Sequence, residues 1–310
     1  MTNPNTPHSS ETGTPPPDDT NPPCVLVFNA NDPSGAAGLS ADVLSVASVG
    51  GHALPVATGA YVRDTTRIFD FFPFDEEAVT EQARAILEDS PAQVIKVGFA
   101  GSPENVSAIS ELAADYAEIP LVTCMPDLSW WEESLIDQYQ DAVRELLLPQ
   151  TTVLVGNHST LCRWLLADWN NAKAPTARDI ARAAAELGVP YVLVTGIALP
   201  DQFLENTLAT PQSVLGSEKF ERFDAAFAGA GDTLAAALAA LIGSGSDLTE
   251  AASEALNYLD RCLDAGFRPG MGAVVPDRLF WAQPEDDESE EDAEATRPNL
   301  FETPFNETRH

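Results

Sequence analysis

The run FAGAGDTL at residues 227–234 places one carboxylate, Asp232, among small residues and just before an alanine-rich stretch that predicts a helix. The first turn of a helix has amide groups without intrahelical partners, and Gly229, Ala230 and Gly231 would let a ligand approach them closely. Such amides bind phosphate. Asp232 would then stand where it can take a proton from an alcohol during phosphoryl transfer. The alternative is a plain turn in which the carboxylate only caps the helix.

A second run rich in small residues, NANDPSGAAGLSAD at positions 29–42, follows the first apolar stretch of the chain. Open α/β sheets bind ligands at such a place, beyond the carboxyl end of a strand. Asp42 lies in the next predicted helix, and its carboxylate can accept hydrogen bonds from an amino-substituted heterocycle. The alternative is an ordinary glycine-rich loop with Asp42 on a solvated helix face.

Short apolar runs alternate with helical patterns through most of the chain. Predicted strands cover residues 24–28, 54–60, 93–99, 121–124, 153–155 and 191–195, and predicted helices cover 39–49, 75–90, 103–118, 135–148, 159–169, 176–187, 232–242 and 248–265. This alternation predicts an α/β fold with a doubly wound, mostly parallel sheet and helices on both faces. Residues 204–224 do not continue this alternation of strands and helices, and they predict short antiparallel strands at one edge of the sheet.

The composition divides the chain into three parts. Residues 1–23 contain seven prolines and predict a disordered tail. Residues 24–283 have the apolar content of a single folded domain. Residues 284–310 include a block of eight acids in ten positions and predict a second, acidic tail.

Charge and cysteine usage limit the partners and the location. Acidic residues outnumber basic ones by 48 to 16, and the net charge of −32 at pH 7 disfavours nucleic acid and anionic membranes as partners. The four cysteines show no C-x-x-C spacing, which predicts free thiols in a reducing, cytoplasmic setting. We see neither a signal-peptide pattern nor an apolar run long enough to span a membrane.

Four stretches give the chain a resemblance to the hydroxymethylpyrimidine/phosphomethylpyrimidine kinases of thiamine biosynthesis, within the ribokinase-like superfamily. They are residues 31–38 with Asp42, Ile95–Phe99, Gly229–Thr233 and Gly266–Pro276. The resemblance implies a ribokinase-like αβα sandwich and an ATP-dependent kinase, with Mg²⁺ accompanying the nucleotide. It implies as substrate 4-amino-5-hydroxymethyl-2-methylpyrimidine or its monophosphate. Ribokinase-like proteins often form homodimers, which makes a dimer an expectation here as well.

The resemblance also assigns roles to single residues. Asp232 becomes the base, and the amides of Gly229, Ala230 and Gly231 become the anion hole. The expected substrate-binding residues are Asp42, Arg63, Ala37, Gly38 and Phe99, and the expected nucleotide-binding residues are Asn157, Thr195 and Gly196. No residue is assigned to a metal.

Three departures from the family pattern bear on the function. Asp232 replaces the family's usual cysteine, although aspartate is common at this position in the wider superfamily. Arg63 stands where the family has a glutamine that contacts the pyrimidine, and Tyr61 and Phe99 are bulkier than the usual pocket residues. Thr160 replaces the glutamate of the family's N-x-x-E motif, which helps to hold the metal.

These departures leave two alternatives open. Arg63, Tyr61 and Phe99 are compatible with a kinase for pyridoxal or pyridoxine. The loss of the glutamate at Thr160 is compatible with a catalytically weak protein that binds a pyrimidine. Lys96, near the end of a predicted strand, is expected to extend its ammonium to solvent, and the alternative is that it reaches into the site.

Overall fold

The computed structural model describes residues 21–282. Its strands are β1 Cys24–Asn31, β2 His52–Arg63, β3 Ile68–Pro73, β4 Val94–Val97, β5 Leu121–Cys124, β6 Val153–Asn157, β7 Tyr191–Ala198, β8 Phe203–Ala209 and β9 Val214–Glu221. Its α-helices are α1 Gly38–Ser48, α2 Glu76–Leu87, α3 Pro103–Asp115, α4 Glu133–Ala142, α5 His158–Leu165, α6 Ala177–Glu186, α7 Ala230–Gly243 and α8 Leu248–Asp264. Shorter helical turns cover Val143–Leu147, Leu148–Gln150 and Phe280–Ala282.

All of these strands form one sheet, in the order β3-β2-β1-β4-β5-β6-β7-β8-β9. The strands from β2 to β7 in this order are parallel to their neighbours. β3 at one edge and β8 and β9 at the other are antiparallel. The chain moves outward from β1 in both directions, so β1 and β4 flank a topological switch point, where such sheets bind ligands.

Alternate side chains of the central strands enter two different cores. In β1, Leu26 and Phe28 belong to the core beneath helices α2 to α6. Val25 and Val27 belong to the core beneath α1, α7 and α8. Because both faces of the sheet are covered by helices, the fold is an αβα sandwich, as the sequence predicts.

Helix α7 lies at the centre of one helical layer. Every residue from Leu234 to Leu241 is at most 5% exposed. A helix that is apolar on all sides is stable only when it is enclosed, and α7 packs against α1, α8 and strands β1, β4 and β5. This packing fixes the position of its first turn near the carboxyl end of β1.

Strand β3 was not predicted from the sequence. Of its residues only Phe71 is buried, while Phe69 and Phe72 are 53% and 59% exposed. The sequence of residues 68–73, IFDFFP, does not alternate between apolar and polar residues as a half-buried strand would. The antiparallel strands predicted within residues 204–224 are confirmed as β8 and β9, at the predicted edge.

The predicted tails, residues 1–23 and 284–310, lie outside the described residues except for residues 21–23, so the domain boundaries stay predictions. The contacts divide the chain into residues 1–280 and 281–310, and only two residues of the second unit are described. Within residues 21–282, no helix combines the length and the apolar character that crossing a membrane requires. All four cysteines are free thiols, of which Cys124 and Cys262 are buried and Cys24 and Cys162 are partly exposed.

Candidate active site

The turn before α7 has the geometry of an anion-binding site. Gly229 precedes the helix with φ of +82°, a left-handed conformation that glycine adopts without strain. No side chain caps the helix. The amides of Ala230, Gly231 and Asp232 in the first turn therefore have no intrahelical acceptor, and Gly231 is exposed. A phosphate group can bind these amides, and the helix dipole favours its negative charge.

The carboxylate of Asp232 is held by three donors. Its Oδ1 accepts hydrogen bonds from Lys96 Nζ at 3.0 Å and from Asn29 Nδ2 at 2.9 Å. Its Oδ2 accepts one from the Gly38 amide at 2.9 Å. A carboxylate oxygen has two lone-pair positions, so Oδ2 keeps one for a further donor. Since 19% of the Asp232 side chain is exposed, Oδ2 is the oxygen that can serve a substrate hydroxyl.

The two small-residue runs found in the sequence therefore meet in space. The bond from Gly38 to Asp232 joins the glycine loop after β1 to the first turn of α7 across 194 positions of the chain. Gly38 has φ of +62°, and a Cβ atom there would overlap the Ala30 carbonyl oxygen. Only glycine can bring the amide this close to Ala30 and leave it directed at Asp232.

Lys96 lies at the centre of this site, and the expectation that it extends to solvent is wrong. Its side chain is completely buried, and Nζ lies 2.7 Å from Asp42 Oδ1 as well as 3.0 Å from Asp232 Oδ1. β4 is a central strand, so its side chains face helices on both sides of the sheet. A buried ammonium is stable only when it is paired, and the two carboxylates supply that pairing.

Asp42 is fully buried, and both of its oxygens accept hydrogen bonds from protein donors. Oδ1 is bound to Lys96, and Oδ2 accepts from Asn29 Nδ2 at 2.8 Å. Asp42 is thus the counterion of Lys96 in this structure. Its predicted contact with a substrate heterocycle stays a prediction.

The two carboxylates differ in their pKa. Burial raises the pKa of Asp42 to about 7, and the negative charge of Asp232 adds to this effect, while Lys96 opposes it. Burial also acts to raise the pKa of Asp232. There the charge of Lys96 and the hydrogen bond from Gly38 outweigh it and hold the pKa below its ordinary value. Asp232 is therefore ionised at neutral pH, as a proton acceptor must be.

Arg63 lies against the glycine loop. Its Nη1 is 3.3 Å from Asp32 Oδ2, and its side chain is 10% exposed. Asp32 also accepts hydrogen bonds from the Ala37 amide at 2.9 Å and from the Ser34 amide at 2.8 Å. The structure thus brings Arg63, Ala37 and Gly38 to one place, the loop at the carboxyl end of β1.

Phe99 is only 2% exposed and lies within an aromatic cluster. Its ring stacks on that of Tyr61 with centroids 5.8 Å apart, and the edges of Trp130 and Trp131 pack against it at 5.9 and 5.2 Å. Its amide donates to Asn29 Oδ1 at 3.1 Å, which ties the cluster to the site. Burial raises the pKa of the Tyr61 phenol well above its ordinary value, so Tyr61 stays neutral.

The predicted nucleotide-binding residues lie at the carboxyl ends of β6 and β7. Asn157 and Thr195 are register partners across these strands. Asn157 also caps α5 through a hydrogen bond from the Ser159 amide at 3.0 Å, and the Gly196 amide donates to Asn206 Oδ1 at 2.8 Å. Because β1 and β6 belong to the same parallel set, these residues share an edge of the sheet with Asp232.

The residues of this site do not form a dedicated metal cage. Within residues 21–282, no group of three or more His, Cys, Asp or Glu side chains is placed to hold an ion. Thr160 stands where the family's N-x-x-E motif has its glutamate, and it offers no carboxylate. Lys96 also occupies the space between Asp42 and Asp232, where a cation would otherwise bridge them.

Three residues of the site were not assigned to it from the sequence, although for Lys96 a place in the site was the alternative to solvent. Lys96 and Asn29 bridge the two carboxylates, and Arg278, which is 3% exposed, joins the glycine loop to α7. A lysine within the apolar run Val94–Val97 was a usable signal, because a charge in a buried strand must have a partner. Arg278 lies beyond the last glycine-rich block, where nothing nearby in sequence indicates its contacts.

Comparisons with known proteins identify the family of the chain. The family model for phosphomethylpyrimidine kinase matches residues 32–277. The hydroxymethylpyrimidine/phosphomethylpyrimidine kinase of Streptomyces coelicolor is 28% identical over 266 residues, which cover 84% of this chain and 96% of that protein. The protein of the same name from Mycobacterium tuberculosis is 27% identical over 271 residues, covering 84% of this chain and 94% of its own length.

Solved structures show the same fold. Pyridoxal kinase from Bacillus subtilis in an ADP complex superposes with a TM-score of 0.74 at 20% identity, covering 84% of this chain and 99% of that one. Phosphomethylpyrimidine kinase from Clostridium difficile gives 0.64 at 21% identity, covering 77% and 98%. The ribokinase-like architecture predicted from the sequence is thereby confirmed. The chain belongs to the phosphomethylpyrimidine kinase family, and it is a kinase.

Proposed function

We propose that this protein transfers the γ-phosphoryl group of ATP to the hydroxymethyl group of 4-amino-5-hydroxymethyl-2-methylpyrimidine or to its monophosphate. The observation that supports this most strongly is the bond between the Gly38 amide and Asp232 Oδ2. It places a carboxylate, a row of open helix amides and the loop at the sheet's switch point together. The named relatives act, by their names, on hydroxymethylpyrimidine and phosphomethylpyrimidine.

In the proposed reaction, Asp232 Oδ2 accepts the proton of the substrate hydroxyl. The hydroxyl oxygen forms a bond to the γ-phosphorus, the bond from that phosphorus to the β–γ bridging oxygen breaks, and ADP leaves with the electron pair. The transition state of phosphoryl transfer is loose and needs little help from a strong base. A carboxylate whose pKa is held low by Lys96 can therefore take the proton late in the transfer.

The amides of Ala230, Gly231 and Asp232 would stabilise the negative charge on the transferring group, because they are fixed at a helix start and need no reorganisation. Asn157, Thr195 and Gly196 are the proposed contacts of the nucleotide. Mg²⁺ would be held mainly by the phosphate oxygens of ATP and by water, since residues 21–282 offer no cage for it.

Lys96 also affects the binding of ATP. An aspartate beside a phosphate site repels the phosphate, and the net charge of the whole chain adds to that repulsion. Lys96, fully buried and 3.0 Å from Asp232, offsets part of that charge locally. The site can therefore combine a carboxylate base with an anionic substrate.

Arg63 is the residue that favours a second candidate, a pyridoxal or pyridoxine kinase. A guanidinium has only donors and cannot copy the paired donor and acceptor of an amide toward a pyrimidine. Arg63 is also partly committed to Asp32. We propose the pyrimidine first because the relatives that cover most of the chain are named for it.

A side-by-side turnover assay tests the substrate. Purified protein is incubated with ATP and Mg²⁺, and with the hydroxymethylpyrimidine, its monophosphate, pyridoxal or pyridoxine, and phosphate transfer is followed by ³¹P NMR. We expect kcat/KM for one of the two pyrimidines to exceed that for both pyridine alcohols by at least about tenfold, or about 1.4 kcal/mol. The reverse preference would establish the second candidate. If the protein binds a pyrimidine without ATP and transfers phosphate to none of the four compounds, only the alternative of a pyrimidine-binding protein is left.

We also propose a homodimer through the β2–β3 hairpin, at the open edge of the sheet. Four apolar side chains there are 41–59% exposed: Val62, Phe69, Phe72 and Phe74. An apolar patch on a strongly acidic chain is a surface where a second copy can approach. Sedimentation velocity of wild type and Phe72→Glu tests this, since a monomer in both would exclude it. The cytoplasmic location stays a prediction.

A further inference from the structure

Arg278 is a buried arginine at the junction of the two small-residue turns. Its side chain is enclosed, with 3% of the residue exposed. Nε donates to Thr233 Oγ1 at 2.9 Å, in the first turn of α7. Nη2 donates to the Ala36 carbonyl at 2.6 Å, and Nη1 to the Gly35 carbonyl at 3.4 Å. One guanidinium thus binds the glycine loop and the phosphate-binding helix at the same time.

The glycine loop and the start of α7 are in close contact at Gly229. A Cβ atom added at Gly229 would overlap the Ala36 carbonyl oxygen and would lie 2.7 Å from Arg278 Nη2. The guanidinium therefore lies directly against the residue that precedes the open amides of α7. Thr233 Oγ1, which accepts from Arg278, donates in turn to the Gly229 carbonyl at 2.8 Å. Movement of Arg278 would be transmitted to the start of α7 through both contacts.

The hydrogen-bond partners of Arg278 are neutral, while the charges of Asp232 and Asp42 act on it from beyond ion-pair distance and favour its ionised form. Among the ion pairs of residues 21–282, none includes this guanidinium. Removing a charged group from water is costly, and neutral carbonyl and hydroxyl acceptors offset that cost only in part. A buried apolar side chain would fill the same space without this cost. The arginine is explained by what its planar set of donors can hold together, which no apolar residue can do.

We propose that Arg278 is a positioning residue for phosphoryl transfer. It fixes the loop at Gly35–Gly38 against Gly229, so that the base oxygen oriented by Gly38 and the amides of α7 face the same point. This inference rests on the proposed function, in which Asp232 takes the proton and those amides bind the phosphoryl group. Arg278 acts through backbone positions and touches neither reacting atom.

Two variants test the proposal. Arg278→Gln keeps a polar side chain, but glutamine is shorter and cannot donate to Thr233, Ala36 and Gly35 at the same time. Thr233→Val removes one acceptor at nearly unchanged volume. Arg182→Gln is the matched control, because Arg182 is 57% exposed on α6 and its one ion pair within residues 21–282 is with Asp179. Circular dichroism and thermal melting first establish that each variant is folded at the assay temperature.

We expect kcat of folded Arg278→Gln to fall by about 100-fold, the usual consequence of a misplacement near 1 Å, while KM for both substrates changes by less than about threefold. Thr233→Val should lose about tenfold in kcat, and Arg182→Gln should match wild type. A residue with a merely structural role would lower the melting temperature and leave kcat of the folded fraction unchanged. That result, or a loss confined to KM for ATP, would overturn the proposal.

Failure of this inference can be told apart from failure of the proposed function. If Asp232→Asn retains wild-type turnover, the assignment of the base is wrong. If Asp232→Asn loses turnover while folded Arg278→Gln and Thr233→Val both retain it, only the role of Arg278 is wrong. If neither of those two variants folds, Arg278 and Thr233 are structural residues and the proposal also fails.

Discussion

Lys96 Nζ lies 2.7 Å from Asp42 Oδ1 and 3.0 Å from Asp232 Oδ1, so one buried ammonium pairs with both the carboxylate on α1 and the proposed base on α7. Asn29 repeats the bridge, since its Nδ2 donates to both carboxylates. The four side chains form a closed network between β1, β4, α1 and α7. Stability and activity should therefore respond together when this network is changed.

Lys96→Met should destabilise the protein strongly. It leaves two buried carboxylates without their cation, and breaking a buried ion pair from one side costs about 3–5 kcal/mol. Urea denaturation at constant salt measures the change in the free energy of unfolding. The double variant Lys96→Met/Asp42→Asn should recover part of the lost free energy of unfolding, because it removes one of the two unpaired buried carboxylates.

Lys173→Met is the control for this experiment, since Lys173 is exposed and its effect should stay within about 0.5 kcal/mol. A Lys96→Met variant as stable as this control would contradict the network described here.

Gly229→Ala should fold but lose activity. The substitution forces φ of +82° on a residue with a Cβ, and that Cβ would overlap the Ala36 carbonyl. Left-handed strain alone costs about 1–2 kcal/mol, and the overlap must additionally displace the loop or the start of α7. We expect kcat to fall by about 100-fold, as for a misplacement near 1 Å.

Gly245→Ala separates these two effects. Gly245 has φ of +88°, with no atom within 4 Å of the added Cβ, so the variant has the strain without the overlap. It should lose stability but keep wild-type kcat. Equal kcat in both variants would show that the contact at Gly229 does not set the geometry of the site.

Asp42 should make the stability of the fold depend on pH. Its folded pKa of about 7 lies above the ordinary value of 3.8, so between these values the folded protein retains a proton that the unfolded chain has released. Its contribution to stability is therefore fully present at low pH and is lost as the pH rises through about 7.

Asp42→Asn removes this titration. The free energy of unfolding of wild type, relative to that of the variant, should fall by on the order of 2 kcal/mol between about pH 5 and pH 8. Asp115→Asn, an exposed change at the end of α3, is the control and should show no such trend. A constant difference between wild type and Asp42→Asn would show that Asp42 titrates outside this range.

Much of the fold could be predicted from the sequence because its signals are local. The apolar run at β1 and the acids that begin α2 each identify an element without reference to the rest of the chain. Asp75, the first residue of the predicted helix 75–90, caps α2 by accepting a hydrogen bond from the Glu77 amide. β3 escaped prediction because edge strands bury few side chains, and here only Phe71 is buried.

The site was less predictable because its bonds join distant parts of the chain. Asp232 and Gly38 were each identifiable from residue type and spacing. The bridging role of Lys96 depends on β4 lying beside β1, and no local pattern contains that fact. Arg278 is 45 positions from Thr233 and 242 from Ala36, so its contacts require the folded structure.

The most direct test of the central claim is the single-turnover rate of Asp232→Asn, measured by rapid quench at saturating ATP, Mg²⁺ and pyrimidine alcohol. The asparagine keeps an acceptor for Lys96 and is nearly the same size, so we expect a folded protein that binds an ATP analogue with an affinity within a few-fold of wild type. Its transfer rate should be lower by at least about 100-fold, the contribution of a positioned base. A rate within threefold of wild type would contradict the assignment of Asp232 as the proton acceptor.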